Sequence, residues 1–320
     1  MRSTMSLIAA SMAAATLSTA TNAADVEIYG KAFITVENYD NGSTSITETT
    51  SNASRLGFKG KQDLGNGVSA IFKIEREVDL TGESSELKPR NTYVGLKGDF
   101  GQAIVGIHDT PTKDLSKKLD LFNDMTGDYK NVVEGETRAK NVLKYSAPKF
   151  NNIAIEVMAI NAETEEDSSM TDSMSMAVSY SNNGLVLGVS QDINVKSGSY
   201  EKDYLDLTRA MISYSVNGLT VGGFVQQASE GSSYVGQYDR DSWHASASYK
   251  LDGGWTLEAQ HTSGSDNLVD EEVHMTSFGV DYKLAKNVKT MAFYTDFEKK
   301  VDGAVSKEFS SVGVGIEYKF

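Results

Sequence analysis

Hydrophobic and polar side chains alternate along most of this chain. In residues 26–36 every second position except Gly30 is apolar, and residues 310–320 alternate in the same way. The apolar face of that last segment consists of Val312, Val314, Ile316, Tyr318 and Phe320. Successive side chains of a β-strand point to opposite faces of its sheet, so this period of two predicts strands with one apolar face.

The connections between these strands come in two lengths. Most of the short ones carry the Gly, Asn or Asp that tight turns favour, and they lie at residues 62–67, 98–101, 148–152, 181–184, 216–218, 251–254 and 284–287. The long ones are rich in Ser, Thr, Glu, Asp and Gly, and they lie near residues 40–52, 79–89, 109–136, 162–172, 193–203, 229–239, 264–272 and 299–308. Seven short and eight long connections in alternation predict about sixteen strands.

The alternation of short and long connections indicates the kind of sheet. A soluble β-sandwich has no physical reason to make every second connection short, whereas outer-membrane barrels have short periplasmic turns and longer external loops. Pairing of the last strand with the first would close the sheet and leave no open edge in lipid. We therefore predict an all-β fold, a sixteen-stranded antiparallel transmembrane β-barrel over residues 24–320, with short periplasmic turns and long external loops.

Composition is consistent with a barrel. The chain has 39% hydrophobic residues and a mean hydropathy of -0.34, and no run of about 18 apolar residues follows the N-terminal segment. A membrane-spanning helix is therefore not predicted. A barrel needs an apolar side chain only at every second strand position, because its other face lines water.

The first 23 residues have the features of a secretory signal. Arg2 supplies the positive charge, residues 7–17 are apolar and rich in Ala, and small residues precede Ala23. We predict a signal peptide over residues 1–23, cleaved after Ala23 or Ala24, and export to the outer membrane of a Gram-negative cell. The chain contains no Cys, so disulfides do not hold it together.

Charge and motifs argue against several functions. The formal net charge of -14 argues against nucleic acid as a partner. The sequence has no His-x-x-x-His pair, nucleophile elbow or phosphate-binding loop, so we expect no cofactor and no resident metal. Acidic segments at residues 163–167, 239–241 and 266–272 could bind divalent cations that bridge to lipid phosphates, although solvated loops are the simpler interpretation.

Five short motifs, taken in their order and spacing, resemble those of the general diffusion porins of Gram-negative outer membranes. They are Ile28-Tyr-Gly-Lys31, Ser54-Arg-Leu-Gly-Phe-Lys-Gly60, Asp63-Leu-Gly-Asn-Gly67, Arg90-Asn-Thr-Tyr-Val-Gly-Leu-Lys-Gly-Asp-Phe-Gly101 and Tyr318-Lys-Phe320. The resemblance implies a sixteen-stranded barrel, usually a homotrimer, whose third external loop folds into the lumen. It further implies passive diffusion of ions and small hydrophilic solutes, contact with outer-membrane lipids including lipopolysaccharide, and insertion by the barrel-assembly machinery.

The longest predicted connection, residues 109–136, agrees with an inward-folded loop. It contains an apolar stretch among acidic residues, made of Leu115, Leu119, Leu121, Phe122 and Met125. Long loops are usually functional or disordered, and apolar anchors favour packing. The nearest surface against which this loop could pack is the inside of the barrel wall.

The same resemblance implies a charged constriction of the pore. A basic cluster on the wall would face acids of the third loop, at Lys31, Arg55, Arg90 and Arg138 for the wall and Asp124 and Asp128 for the loop. Alternation alone places three of the four basic residues inward, and the strand around Arg90 is ambiguous. Lys140 and Lys144 share the predicted face of Arg138. The alternative is that each of these charges is an ordinary lumen residue solvated by water.

We predict a non-enzymatic pore, and two other classes of function stay open at this point. One is a structural or adhesive outer-membrane barrel whose lumen is plugged by its loops. The other is a barrel enzyme, for which His244 and His261 on neighbouring strands are candidate bases. The sign of ion selectivity is also open, because the acidic total and the basic wall have opposite effects.

Phe320 gives the first testable prediction. The terminal aromatic residue resembles the signal by which the assembly machinery recognises porins, so its deletion should impair membrane insertion more than it impairs conductance. Fractionation of cells that express the truncated chain measures insertion, and bilayer recordings measure conductance. Normal insertion without Phe320 would remove this role.

Overall fold

The computed structural model describes residues 25–161, 173–197, 204–231 and 238–320. The predicted signal peptide, both candidate cleavage positions and the acidic segment at residues 163–167 lie outside these ranges. The described part of the chain is almost entirely β-structure. None of its helices is long and apolar enough to cross a membrane.

Sixteen strands can be followed through the described residues. Two of them, β2 and β4, are each interrupted once and therefore have two segments. The strands are β1 (Asp25–Asp40), β2 (Ser45–Ser51 and Arg55–Gly65), β3 (Val68–Glu77), β4 (Lys88–Pro89 and Thr92–Gly98), β5 (Gly101–Asp109), β6 (Arg138–Ser146), β7 (Ile153–Ile160), β8 (Ser173–Asn182), β9 (Leu185–Lys196), β10 (Tyr204–Val216), β11 (Leu219–Glu230), β12 (Asp239–Lys250), β13 (Trp255–Asp266), β14 (Glu271–Ala285), β15 (Val288–Val301) and β16 (Ala304–Lys319).

The strands form one closed antiparallel sheet. Each strand pairs with its neighbour in sequence, and β1 pairs with β16 from Lys31 opposite Lys319 to Asp40 opposite Ser310. Phe320 continues this pairing, since its backbone N–H donates to Gly30 O at 3.1 Å and its O accepts from Gly30 N at 2.9 Å. The predicted sixteen-stranded barrel, closed between its first and last strands, is confirmed.

The two faces of the barrel differ in polarity, as the alternation predicts. Val26 and Ile28 on the outer face of β1 are 57% and 62% exposed, and the predicted apolar face of β16 is equally open. Inward-facing Thr35 and Glu37 are buried. The apolar outer band suits contact with lipid chains, and the enclosed face carries the polar groups.

Three of the predicted long loops are much shorter in the structure, because strands extend into them. Residues 45–51, 264–266, 299–301 and 304–308 belong to strands, and the connections are reduced to residues 41–44, 267–270 and 302–303. Both faces of these strand ends carry polar residues, so the period of two disappears although the backbone pairing continues. Asp302 at φ 52° and Gly303 at φ 75° form the tightest of these turns.

The connection between β5 and β6, residues 110–137, is long and folds into the barrel. It contains a short helix, α1 (Pro111–Ser116), which Thr110 caps through its side chain, and a 3-10 turn (Tyr129–Asn131) capped by Asp128. Leu119, Phe122 and Tyr129 are at most 2% exposed. They pack against side chains on the inner face of the wall, namely Met211, Phe224, Met275, Met291, Phe293 and Phe297. The predicted inward-folded third loop is therefore present.

Neighbouring positions on β8 test which face meets lipid. Val178 is outward-facing and exposed, whereas Ser179 lines a cavity inside the barrel. Arginine on the lipid face costs about 2–4 kcal/mol at the bilayer midplane and less toward the interfaces. We expect Val178→Arg to lower the free energy of unfolding in lipid vesicles and the matched variant Ser179→Arg to change it little. Equal effects of the two variants would contradict the assigned faces.

Candidate functional site: the charged constriction

The inward loop brings one carboxylate across the lumen to the barrel wall. Asp124 Oδ2 lies 2.8 Å from Lys31 Nζ and 2.9 Å from Arg55 Nη2. Burial acts to raise the pKa of Asp124, but Lys31 and Arg55 outweigh it and hold that pKa below its usual range. Asp124 therefore carries a negative charge that is shared by two cations.

A bulge in β2 places Arg55 beside Lys31. Between the two segments of β2, the Ser54 hydroxyl accepts from Phe33 N at 2.9 Å and donates to Phe33 O at 3.0 Å. Asn52 N also donates to Phe33 O, at 2.9 Å. These bonds satisfy the backbone of β1 where regular pairing is interrupted. Regular pairing resumes with Arg55 directly opposite Lys31, so both side chains point into the lumen.

Arg90 is inward-facing, but it pairs with the wall rather than with the loop. Its Nε lies 3.1 Å from Glu75 Oε1 and its Nη1 lies 2.7 Å from Glu77 Oε2, both on the neighbouring strand β3. Lys73 Nζ and the Tyr29 hydroxyl contact the other oxygen of Glu75, at 3.2 and 2.8 Å. Arg90 is therefore part of a chain of alternating charges along the wall.

Arg138 also has its ionic partner on the wall. Its Nε lies 2.9 Å from Asp109 Oδ1 at the end of β5 and donates to Asn91 Oδ1 at 3.0 Å. The expectation that all four basic residues face loop acids therefore holds only for Lys31 and Arg55. The wall supplies its own carboxylates, which come from strand ends that the sequence pattern left unassigned.

Asp128 has a different place from the predicted one. It is 2% exposed, and its two carboxylate oxygens accept from Asp124 N and Lys130 N, each at 2.9 Å. Its ionic partner is Lys130 Nζ, at 2.9 Å. Asp128 therefore shapes the loop that carries Asp124 and does not contact the basic wall, because the loop turns back on itself at this point.

Three lysines of the loop line the same space and were not identified from the sequence. Lys113, Lys117 and Lys130 border a cavity of ≈ 590 Å³ together with Arg55, Lys73, Arg90, Arg138, Glu75, Glu77, Asp109 and Asp124. Seven basic and four acidic side chains give this lining a formal charge of +3. The spacing of Lys113 and Lys117, one helical turn apart after Pro111, was the available signal.

The two further lysines assigned to the face of Arg138 are separated in the structure. Lys144 is buried, with its Nζ at 2.6 Å from Asp114 Oδ2 and 3.0 Å from Glu156 Oε2. Lys140 is exposed and precedes Asn141, whose φ of 56° marks a bulge in β6. The bulge breaks the alternation on which the shared face was predicted.

His244 has a structural environment. Its Nε2 lies 3.1 Å from Leu119 O of the inward loop, and its Nδ1 lies 2.9 Å from Thr262 Oγ1. Its ring also stacks on Phe224 at 5.2 Å between centroids. Nε2 thus contacts the loop, and Nδ1 contacts the neighbouring strand β13. His261 faces outward, where its ring lies 5.1 Å from that of Trp243. The barrel places the two histidines on opposite faces, so they cannot act together in one site. This arrangement argues against the barrel-enzyme alternative.

Carboxylates and histidines do not gather into a metal site in the ranges that the structure covers. No group of three or more His, Asp or Glu side chains has the arrangement that could hold an ion there.

A closed β-barrel with a polar lumen, narrowed by a charged inward loop, defines the class of water-filled channel proteins. A family model described as "Gram-negative porin" matches residues 8–302. The chain therefore belongs to the Gram-negative porin family, whose members are channels rather than enzymes. It is an outer-membrane channel for passive diffusion of solutes.

Curated relatives and solved structures agree with this assignment. The major outer membrane protein P.IB of Neisseria meningitidis is 27% identical over 311 residues, which cover 93% of this chain and 84% of that protein. The anion-selective porin from Comamonas acidovorans has a TM-score of 0.78 at 20% identity and covers 93% of this chain and 100% of its own. OmpT of Vibrio cholerae in its trimer form has a TM-score of 0.69 at 18% identity, with the same two coverages.

Asp124 offers a direct test of the constriction. Replacement of Asp124 by Asn removes one negative charge and leaves Lys31 and Arg55 without their carboxylate partner, so the permeability ratio should shift toward anions. Reversal potentials in a salt gradient measure that ratio. Asp252→Asn, in the turn between β12 and β13, is the matched control and should leave it unchanged. An unaltered potential in the Asp124 variant would exclude this carboxylate from the ion path.

Proposed function

We propose that this channel admits small hydrophilic solutes with a preference for anions, and that Lys31, Arg55, Arg90, Arg138 and Asp124 set this preference. The observation that carries the proposal is the +3 formal charge of the cavity beside the loop. Basic groups lie on both sides of this cavity, on the wall and on the loop. An anion would therefore meet favourable charges on each side.

Charges close to the ion path outweigh the acidity of the whole chain. The formal net charge of -14 is spread over 320 residues. Charges in water are screened over roughly 8 Å at physiological ionic strength, so carboxylates on the distant surface act weakly on an ion at the constriction. The groups within a few ångströms of the path decide the sign of selectivity.

The arginines retain hydrogen-bond donors that a passing anion could use. Arg55 contacts Asp124 through Nη2, and its side chain is 18% exposed at the border of the cavity. Arg138 binds Asp109 and Asn91 through its Nε, which leaves the end of its guanidinium toward the cavity. Planar guanidinium groups suit oxygen anions such as carboxylates and phosphates. The Comamonas porin of similar fold is itself described as anion-selective.

Assembly and targeting complete the proposal. The trimer form of the Vibrio porin supports a homotrimer for this chain. The apolar outer band would contact outer-membrane lipids, including lipopolysaccharide. Residues 1–23 would direct export as a cleaved signal peptide. Phe320, which is paired with Gly30 at the closure of the barrel, would serve as the recognition signal for the assembly machinery.

Reversal potentials test the proposed selectivity. In a KCl gradient across a planar bilayer, the parent channel should give the sign expected for chloride preference. Arg55→Ala and Arg138→Ala should each move the potential toward cation preference, because each removes one positive charge from the cavity. Lys286→Ala, a matched loss of charge in a distant turn, should leave it unchanged.

The outcomes of these recordings separate the parts of the proposal. Chloride preference that declines in both arginine variants supports it. Cation preference in the parent channel would overturn the anion assignment while leaving the channel itself in place. Absence of any conductance from folded protein would instead favour the loop-plugged structural barrel.

A further inference from the structure

We propose that the wall formed by β9–β14 carries a preformed docking track for the inward loop, with Arg209 as its main positioning residue and Gly188 and Gly279 as sockets for loop side chains. The track fixes where Asp124 crosses the lumen. It therefore sets the cross-section of the pore without contact to the permeating solute. This inference concerns the position of the loop and does not depend on the sign of ion preference.

Arg209, on β10, is fully buried inside the barrel, and all three of its guanidinium nitrogens donate hydrogen bonds. Its Nε and Nη2 both donate to Gln226 Oε1 on the neighbouring strand, at 2.8 and 2.6 Å. Its guanidinium carbon lies 4.4 Å from the centroid of the Phe224 ring. The wall thus holds the guanidinium in one orientation, with its remaining donors directed at the loop.

Those remaining donors hold both limbs of the loop. Nη1 donates to Ser116 Oγ at the end of α1, and it also lies 3.1 Å from Glu136 Oε1 on the limb that returns to β6. Nη2 donates to Glu134 O of the same limb at 2.6 Å. A buried guanidinium without partners is very unfavourable, so Arg209 stabilises the barrel interior only while the loop is folded in.

Gly135 shows how closely the returning limb approaches this arginine. Its φ is 87°, and an added Cβ would lie 2.9 Å from Leu207 Cδ1 and 3.1 Å from Arg209 Nη2. A side chain at this position would be strained and would push the limb away from the wall. The backbone of the loop and the guanidinium therefore fit each other closely.

Wall glycines receive the apolar side chains of the loop. A Cβ added to Gly188 on β9 would lie 2.5 Å from Leu115 Cδ1, and its three nearest atoms all belong to Leu115. A Cβ added to Gly279 on β14 would lie 2.9 Å from Phe122 Cε1 and 3.1 Å from Phe122 Cζ. Neither glycine has a positive φ, so these positions need glycine for space and not for backbone conformation.

The glycine sockets and Arg209 together explain where the carboxylate of Asp124 lies. Arg209 holds the two limbs of the loop, and Phe122 in the socket of Gly279 precedes Asp124 by two residues. A shift of the ring of Phe122 would move the carboxylate relative to Lys31 and Arg55, because the intervening backbone is too short to absorb it. The docking track is thus mechanically coupled to the constriction.

Arg209→Met tests the clamp. The variant should form a folded barrel, with single-channel conductance above that of the parent and a broader spread of open current levels, because the loop limbs are released. Arg209→Met combined with Glu136→Gln should lie closer to the parent, since no unpaired carboxylate is left behind. Lys289→Met is the matched control, because it removes an inward-facing charge from β15 that pairs with Asp281 and not with the loop. Heat-modifiable gel mobility reports folding in each case.

The socket is tested by a reciprocal pair of substitutions. Gly279→Val overfills it, Phe122→Ala empties it, and each should change the conductance. The double variant should recover part of the parent value, which a merely structural defect in either residue would not produce. Ala292→Val adds the same type of side chain on the lipid-facing side of the next strand and should have no effect.

Two results would overturn the proposal. One is parental conductance and current spread in folded Arg209→Met. The other, which decides the matter if Arg209→Met does not fold, is a double variant at Gly279 and Phe122 whose deviation equals the sum of the two single variants. Recovery in the double variant, with or without a folded arginine variant, supports the docking track.

Discussion

The structure depends on one constraint: inside a bilayer every backbone N–H and C=O group must find a partner within the protein. A sheet meets this constraint only when it closes, and here β1 pairs with β16 through ten residue pairs to complete the ring. Closure also separates the two faces of every strand. The outer face is apolar and suits contact with lipid. The inner face encloses a space that the inward loop narrows and that charged side chains line.

The enclosed space is too wide to be filled by side chains of the wall alone, and the inward loop occupies much of it. One face of the loop is apolar and packs against Met211, Phe224 and Phe293, so part of the lumen resembles the core of a soluble domain. The other face is charged and borders the cavity with Lys113, Lys117 and Asp124. A single segment of 28 residues therefore serves both as core and as constriction.

The lining of the cavity beside the inward loop has the opposite sign of charge from the whole chain. An acidic protein encloses a cavity with a surplus of basic groups, and several of those groups are held in ion pairs of 2.7–3.2 Å. Such pairs fix long side chains in place, which keeps the pathway open and its charges in defined positions. The proposed selectivity depends on the basic side chains that border the cavity.

The strand count, the closure between the first and last strands, and the outward faces could be predicted from the sequence, because a period of two and turn residues are local properties. The family motifs also predicted that Lys31 and Arg55 would face Asp124, and the structure places these three side chains in contact. The remaining features depend on how the folded chain brings separate segments together. Bulges at residues 52–54 and at Asn141 reset the alternation, and strand ends outside the lipid lost it. Arg90 contacts Glu75 on the neighbouring strand, and Arg209 contacts Ser116 and Glu134 of the loop. These contacts join separate segments of the chain, so they leave no local sequence pattern. The place of Asp128 depends on how the loop turns back on itself.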